Sequence, residues 1–261
     1  MAGLPGGEFT SVPSVFNLTG GLMDYEGAAF YEKEFTTAGG CLRFLFDGVL
    51  THAKVFLDGV LLGEHTGGFT RFSFMVPGVS VGRHRLCVIA DNRFHADSIP
   101  QKKVDWYHWG GIIRSVWVEE LQGISVLSAH LVYTLNDDLT AARAHFALTL
   151  YNAGDTAVTD TVTAELAGET VATLPLTLAP HETREAETAA FTVTPVRLWS
   201  PETPELYTMA LRTGSDDLID RTGFRLIEVR EGQILLNHRP VEFRGVNRHE
   251  EHPDFGFAFP Q

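Results

Sequence analysis

Cysteine is nearly absent: Cys41 and Cys87 are the only two among 261 residues. Each lies in an apolar, strand-like stretch, so two buried free thiols are favoured over a disulfide, and a disulfide framework is excluded. That usage suggests a reducing, cytoplasmic location. Positive charge is also scarce. Lys and Arg number 20 against 33 Asp and Glu, a formal net charge of −13. A nucleic-acid surface needs clustered cations, so no such partner is expected. No apolar run approaches the roughly 18 residues of a membrane-spanning helix, so no membrane partner is expected either. The opening Met1-Ala2-Gly3-Leu4-Pro5-Gly6-Gly7 has neither the basic segment nor the apolar run of a secretory signal. No fixed-period repeat and no low-complexity tract is present.

What is there is core-forming. Hydrophobic residues make up 44% and aromatics 11%, which excludes a disordered chain. The length suits two domains of ordinary size.

The periodicity is that of strands. Lys54-Val55-Phe56-Leu57 and Val60-Leu61-Leu62 flank Asp58-Gly59, a two-residue hairpin signal. Arg85 to Ala90 reads as a buried strand, and Ile112 to Val118 as another. After Gln122-Gly123 the aromatics thin out. Phe146, Leu148 and Leu150, then Val162, Ala164 and Leu166, then Leu174, Leu176 and Leu178, then Ala189, Phe191 and Val193 each place one face inward at period two. Several short strands separated by turn residues over about a hundred positions form the pattern of an immunoglobulin-like sandwich. Leu198 to Tyr207, with Pro201 and Pro204, reads as a rigid loop between strands. Ile227 to Arg230 and Gln233 to Leu236 predict a hairpin around Glu231-Gly232. Val241 to Val246 predicts a strand that ends in the polar burst Asn247-Arg248-His249-Glu250-Glu251-His252.

Four segments offer chemistry. Asp105-Trp106-Tyr107-His108-Trp109-Gly110-Gly111 combines flat rings with a carboxylate, the mixture that meets a sugar's C–H face and its hydroxyls. It equally reads as a buried aromatic cluster at a domain junction, with Asp105 capping a turn. Glu64 to Thr70 is a Gly-rich loop without the Lys and Ser/Thr of a phosphate cradle, and a structural turn is favoured. His249-Glu250-Glu251-His252 spaces its histidines by three rather than the four a zinc-binding helix needs. No metal is expected there; the alternative is a loop at the carboxyl end of a barrel strand, where such barrels place their active sites. No Gly-x-Ser-x-Gly elbow supports acyl transfer.

Taken together, these segments resemble family 2 glycoside hydrolases. Gly110-Gly111-Ile112-Ile113-Arg114-Ser115-Val116-Trp117 is similar to the signature closing that family's first domain. His65 to Thr70 is similar to the central hairpin of its jelly roll, and Leu198 to Tyr207 to the end of its immunoglobulin-like domain. Gly223-Phe224-Arg225 followed by Phe243-Arg244-Gly245-Val246-Asn247-Arg248-His249-Glu250 resembles the start of its TIM barrel. The resemblance implies an all-β chain: a jelly-roll sugar-binding domain over 1–122, an immunoglobulin-like β-sandwich over 123–224, and a stub of a TIM barrel over 225–261. It implies a retaining exo-β-glycosidase, a β-galactosidase or β-glucuronidase, as the parent activity. Carbohydrate is the partner, no cofactor is needed, and the parent is a homo-oligomer. Asp105 and His249 match residues that hold the sugar; Trp106 would line the same subsite, and Arg248 would support the loop.

Two departures stand out. The family's opening Leu-x-Gly-x-Trp-x-Phe strand is missing. Its two catalytic glutamates lie on later barrel strands, so no catalytic residue is assigned here and the chain alone is expected to be inactive. A stand-alone carbohydrate-binding or adhesion module is the alternative. Residues after about Glu228 are expected to be disordered or laid onto a neighbouring surface.

Overall fold

A computed structural model describes residues 6–96, 98, 99 and 106–259. Among these there is no α-helix; a 3-10 turn at Phe16–Leu18 is the one helical piece, and no helix is long and apolar enough to cross a membrane. The chain divides into two compact units, Met1–Glu120 with Asn247–Gln261, and Leu121–Val246.

The first unit is built from β1 (Ser14–Val15), β2 (Ala28–Thr37), β3 (Gly40–Phe46), β4 (Val49–Leu50), β5 (His52–Leu57), β6 (Val60–Thr66), β7 (Phe72–Val79), β8 (Gly82–Asp91), β9 (Gly111–Ile112) and β10 (Val116–Leu121). One sheet runs β2-β8-β5-β6, a second β10-β3-β7, and a short third β1-β9-β4. The alternating inward residues of β8 (His84, Leu86, Val88, Ala90) and β5 (Ala53, Val55, Leu57) face Leu42, Phe44 and Phe46 of β3 across one buried core. Full burial of a large apolar side chain contributes about 1.5–3 kcal/mol, so Phe44 and Phe46, both 0% exposed, fix which face of β3 points inward.

The second unit contains β11 (Ile124–Leu135), β12 (Ala142–Asn152), β13 (Val158–Leu166), β14 (Glu169–Leu178), β15 (Thr183–Glu187), β16 (Phe191–Val193), β17 (Tyr207–Arg212) and β18 (Asp217–Thr222). One sheet runs β11-β12-β15, with β16 also on β12, and the other runs β14-β13-β17-β18. Phe146, Leu148 and Leu150 meet Val162, Ala164, Leu166 and Phe224 in the core between them, the arrangement of an immunoglobulin-like sandwich. Leu198 to Tyr207 is a loop held by the Trp199 amide on the Phe224 carbonyl and the Ser200 amide on Thr203. The hairpin β19 (Ile227–Arg230) and β20 (Gln233–Leu236), extended by β21 (Arg239–Pro240), completes the unit.

Two expectations change. The strand read over Ile112 to Val118 is two strands, because the chain leaves one sheet and joins another between them. There the Ile113 amide bonds the Gly48 carbonyl and the Asp47 amide the Ser115 carbonyl. Val241 to Val246 forms no strand: the Val241 amide bonds the Ile234 carbonyl of the neighbouring hairpin at 3.0 Å, but the ladder goes no further, and Phe243 and Val246 are 75% and 91% exposed. The stretch 225–261 divides between the two compact units. Residues up to Val246 cluster with the second unit, where β19 to β21 are regular strands, and 247–261 cluster with the first. Cys41, buried, and Cys87, half-buried rather than buried, are not joined in a disulfide.

One ion pair couples the first unit's turns to pH. His84, 8% exposed, sits with Nδ1 at 2.6 Å from Asp58 Oδ2 and Nε2 at 2.8 Å from the Ser80 carbonyl oxygen. The bond to Asp58, then that to Ser80, holds the imidazole's pKa above its usual value. Burial works to raise Asp58, but the bonds from His84 and from the Arg85 amide outweigh it and its pKa is lowered. A raised histidine stabilises the fold fully below its unfolded pKa and loses that contribution as pH rises through the folded value. A lowered aspartate loses its contribution as pH falls through its own folded value. Because Asp58 is partly exposed, the pair is worth on the order of 1 kcal/mol or less. Urea unfolding of the chain should therefore show a loss of stability from about pH 6.5 upward, where histidine leaves its unfolded pKa. His84→Gln should flatten that part of the profile.

Candidate functional site

The first unit gathers its aromatic and imidazole groups where the run Trp106 to Gly111 meets the returning segment 247–259. Two buried asparagines shape the floor. Asn17, 2% exposed, donates through Nδ2 to the carbonyls of Leu22, Met23 and Tyr25 and accepts the Gly110 amide on Oδ1 at 2.8 Å. Asn92, 0% exposed, accepts the Gly27 amide at 2.8 Å and donates to the carbonyls of Tyr25 and His108. Together they tie the 22–27 loop to the 108–110 run. Gly110 lies so close to the Phe16 ring and to Asn92 that an added Cβ would stand 2.7 Å from the Asn92 Cβ. That close approach is the physical reason for glycine here.

On this floor Trp109 is 5% exposed and its ring lies 4.4 Å from that of Tyr107. The Tyr107 hydroxyl donates to the Met23 carbonyl and reaches Asp24 Oδ1 at 3.2 Å. Burial, then the Asp24 carboxylate, raises its pKa. His108 bonds the Asn92 carbonyl and stacks on Phe94 at 4.0 Å.

The returning segment packs on Trp109. Gly256, at φ 57°, lies with its Cα against the Trp109 ring and Val15, where a Cβ would stand 2.8–2.9 Å from both. Ala258 is buried with Val15, Leu50, Trp109 and Ile113. The turn is closed by the Gly256 amide on the His252 carbonyl at 2.7 Å and the Ala258 amide on Phe255 at 2.9 Å. Glu251 turns inward, accepting the Tyr107 amide on Oε1 and the Trp109 indole N–H on Oε2, each at 3.2 Å.

Of the residues singled out from the sequence, the fold brings Trp106 and His249 together: their rings lie 5.3 Å apart at 53°, although 143 positions separate them. Arg248 is exposed and pairs with Glu250 at 3.2 Å. Asp105 lies outside the described residues. Sequence reasoning missed Glu251 and the two asparagines. The inward turn of Glu251 depends on a contact across the chain, while Asn17 and Asn92 follow strand ends and look like ordinary turn residues.

The four groups of His249-Glu250-Glu251-His252 do not converge. Glu250 faces Arg248, Glu251 faces Trp109, and His252 stacks near Phe255 at 4.7 Å while its Nδ1 accepts the Asp254 amide. Among the described residues no cluster of three or more His, Cys, Asp or Glu could hold a metal ion. Every described carboxyl group with a resolved shift is shifted downward. The leading cause is an Arg85 hydrogen bond for Glu34, Arg93 for Asp91, Thr37 for Glu120, the Ala179 amide for Glu182 and His238 for Glu228. A proton donor for glycosidic cleavage needs the opposite shift.

The fold thus comprises two all-β units, the first bringing an indole and an imidazole side by side. Residues 124–225 match the family model "Glycosyl hydrolases family 2", and residues 227–261 match "Glycosyl hydrolases family 2, TIM barrel domain". The chain belongs to family 2 of the glycosyl hydrolases. It is 29% identical over 252 residues to a beta-galactosidase of Thermoanaerobacter pseudethanolicus, covering 91% of this chain and 34% of that protein. It is 27% identical over 285 residues to a beta-glucuronidase of Streptococcus agalactiae, covering 95% and 44%. Among solved structures, a family 2 beta-galacturonidase from Eisenbergiella tayi bound to galacturonate superposes with a TM-score of 0.89 at 33% identity, over 99% of this chain and 47% of that one. The chain thus spans between a third and a half of the length of these relatives.

Because Asn92 satisfies one buried amide and two carbonyls, Asn92→Ala should destabilise the first unit by about 2–4 kcal/mol, the cost of leaving such groups unpaired. Urea unfolding followed by tryptophan fluorescence checks the value.

Proposed function

We propose that this chain supplies a sugar-gripping part, and not the bond-breaking carboxylates, of a retaining glycosidase acting on terminal β-galactosides or β-glucuronides. The observation that carries the reading is the meeting of Trp106 and His249 on a loop locked to the first sandwich. In this reading the Trp106 ring meets the sugar's C–H face and the His249 imidazole bonds a hydroxyl. Asp105, beside Trp106 in sequence, accepts a second hydroxyl, and Arg248 braces the loop through Glu250. Retaining hydrolysis needs two carboxyl groups about 5–5.5 Å apart, one with a raised pKa. None of the described carboxyl groups with a resolved shift is raised, which supports placing that pair elsewhere than among them. A cytoplasmic, homo-oligomeric parent is part of the same reading.

The chain should release no nitrophenol from nitrophenyl β-galactoside or β-glucuronide. Turnover that persists through repurification contradicts the proposal. Part of a pocket binds weakly, so titration with galactose or glucuronate should give dissociation constants above about 1 mM, lost in His249→Ala and Trp106→Ala. Micromolar binding would favour a self-sufficient carbohydrate-binding module instead.

A further inference from the structure

We propose that Glu251 is a positioning residue whose carboxylate clamps the 247–252 segment to the 106–109 run and so holds His249 against Trp106. The meaning of that pair as a sugar contact rests on the function proposed above; the clamp itself rests on geometry alone.

Glu251 uses each carboxylate oxygen once. Oε1 takes the backbone N–H of Tyr107, the residue after Trp106, and Oε2 takes the indole N–H of Trp109. Glu251 is two positions beyond His249, so the clamp lies next to both members of the pair it aligns. Its neighbour Glu250 does the opposite, facing outward to the exposed Arg248. Residues 242–250 are exposed and carry no regular structure. Nothing regular on that side restrains His249, and a loop free to move loses binding to the cost of ordering it. Trp109 is a fixed anchor, buried at 5% exposure and packed on Gly256 and Ala258. The device needs two acceptors. An ionised carboxylate offers them, whereas a glutamine offers one oxygen and would set its own N–H₂ against the second donor.

Isotope-labelled chain allows a direct test by NMR. In the wild type, Overhauser contacts should link the Trp106 indole to the His249 imidazole, and the Trp109 indole N–H should exchange slowly. In Glu251→Ala, with the core resonances of Phe44 and Val88 unchanged, the ring contacts should vanish and indole exchange should quicken at least tenfold. Glu251→Gln should fall between. Any shifts that galactose or glucuronate induces at Trp106 and His249 should need at least fivefold more sugar in Glu251→Ala. Should Glu251→Ala fail to fold, Trp109→Phe retains an aromatic ring there and removes one donor; the ring contacts should then weaken by half or more. Trp106–His249 contacts of wild-type strength in folded Glu251→Ala, or in Trp109→Phe, would overturn the proposal. A wild type that shows no sugar-induced shift would count against the sugar reading, while the ring contacts would still decide the clamp.

Discussion

Everything in the candidate site depends on the burial of one indole. Trp109 packs against Tyr107 and Gly256, with Ala258, Val15, Leu50 and Ile113 completing its surroundings. A tryptophan side chain removes a large apolar area from water on burial but brings an N–H that needs a partner. Glu251 is that partner. The apolar drive that seats the ring therefore also draws a carboxylate inward, and with it a stretch of chain more than 140 positions downstream. Trp106 and His249 meet as a consequence.

The asparagines beneath play the complementary role. Asn17 and Asn92 replace a missing strand ladder by satisfying loop carbonyls and amides that burial would otherwise leave unpaired. A rigid floor of side-chain to backbone bonds suits a surface meant to present rings at a fixed spacing. The described carboxylates with resolved shifts are held ionised by arginine, histidine, hydroxyl or backbone donors.

Much of the fold was legible in the sequence, for local reasons. The period-two runs of β12 and β13 bury their apolar face, and the Asp58-Gly59 and Glu231-Gly232 turns join the strands they flank. These features need only the pleat and the turn. What failed needed partners. Val241 to Val246 has the composition of a strand, but past the Val241 amide's bond to Ile234 it joins no ladder. Ile112 to Val118 reads as one strand because apolar residues lie on both sides of Arg114 and Ser115, yet Ile113 belongs to a different buried cluster from Ile112. In the site, the ring-rich run and the polar burst stood out by composition. That they meet is a property of the packing around Trp109, and no spacing along the chain encodes it.

Amide hydrogen exchange over the returning segment tests this account most directly. The amides of Gly256 and Ala258 are hydrogen-bonded within a turn seated on Trp109, while Phe243 to Val246 are exposed. The account predicts protection on the order of a hundredfold or more at Gly256 and Ala258 and near-free exchange at Phe243 to Val246. Equally fast exchange across 243–258 would contradict it.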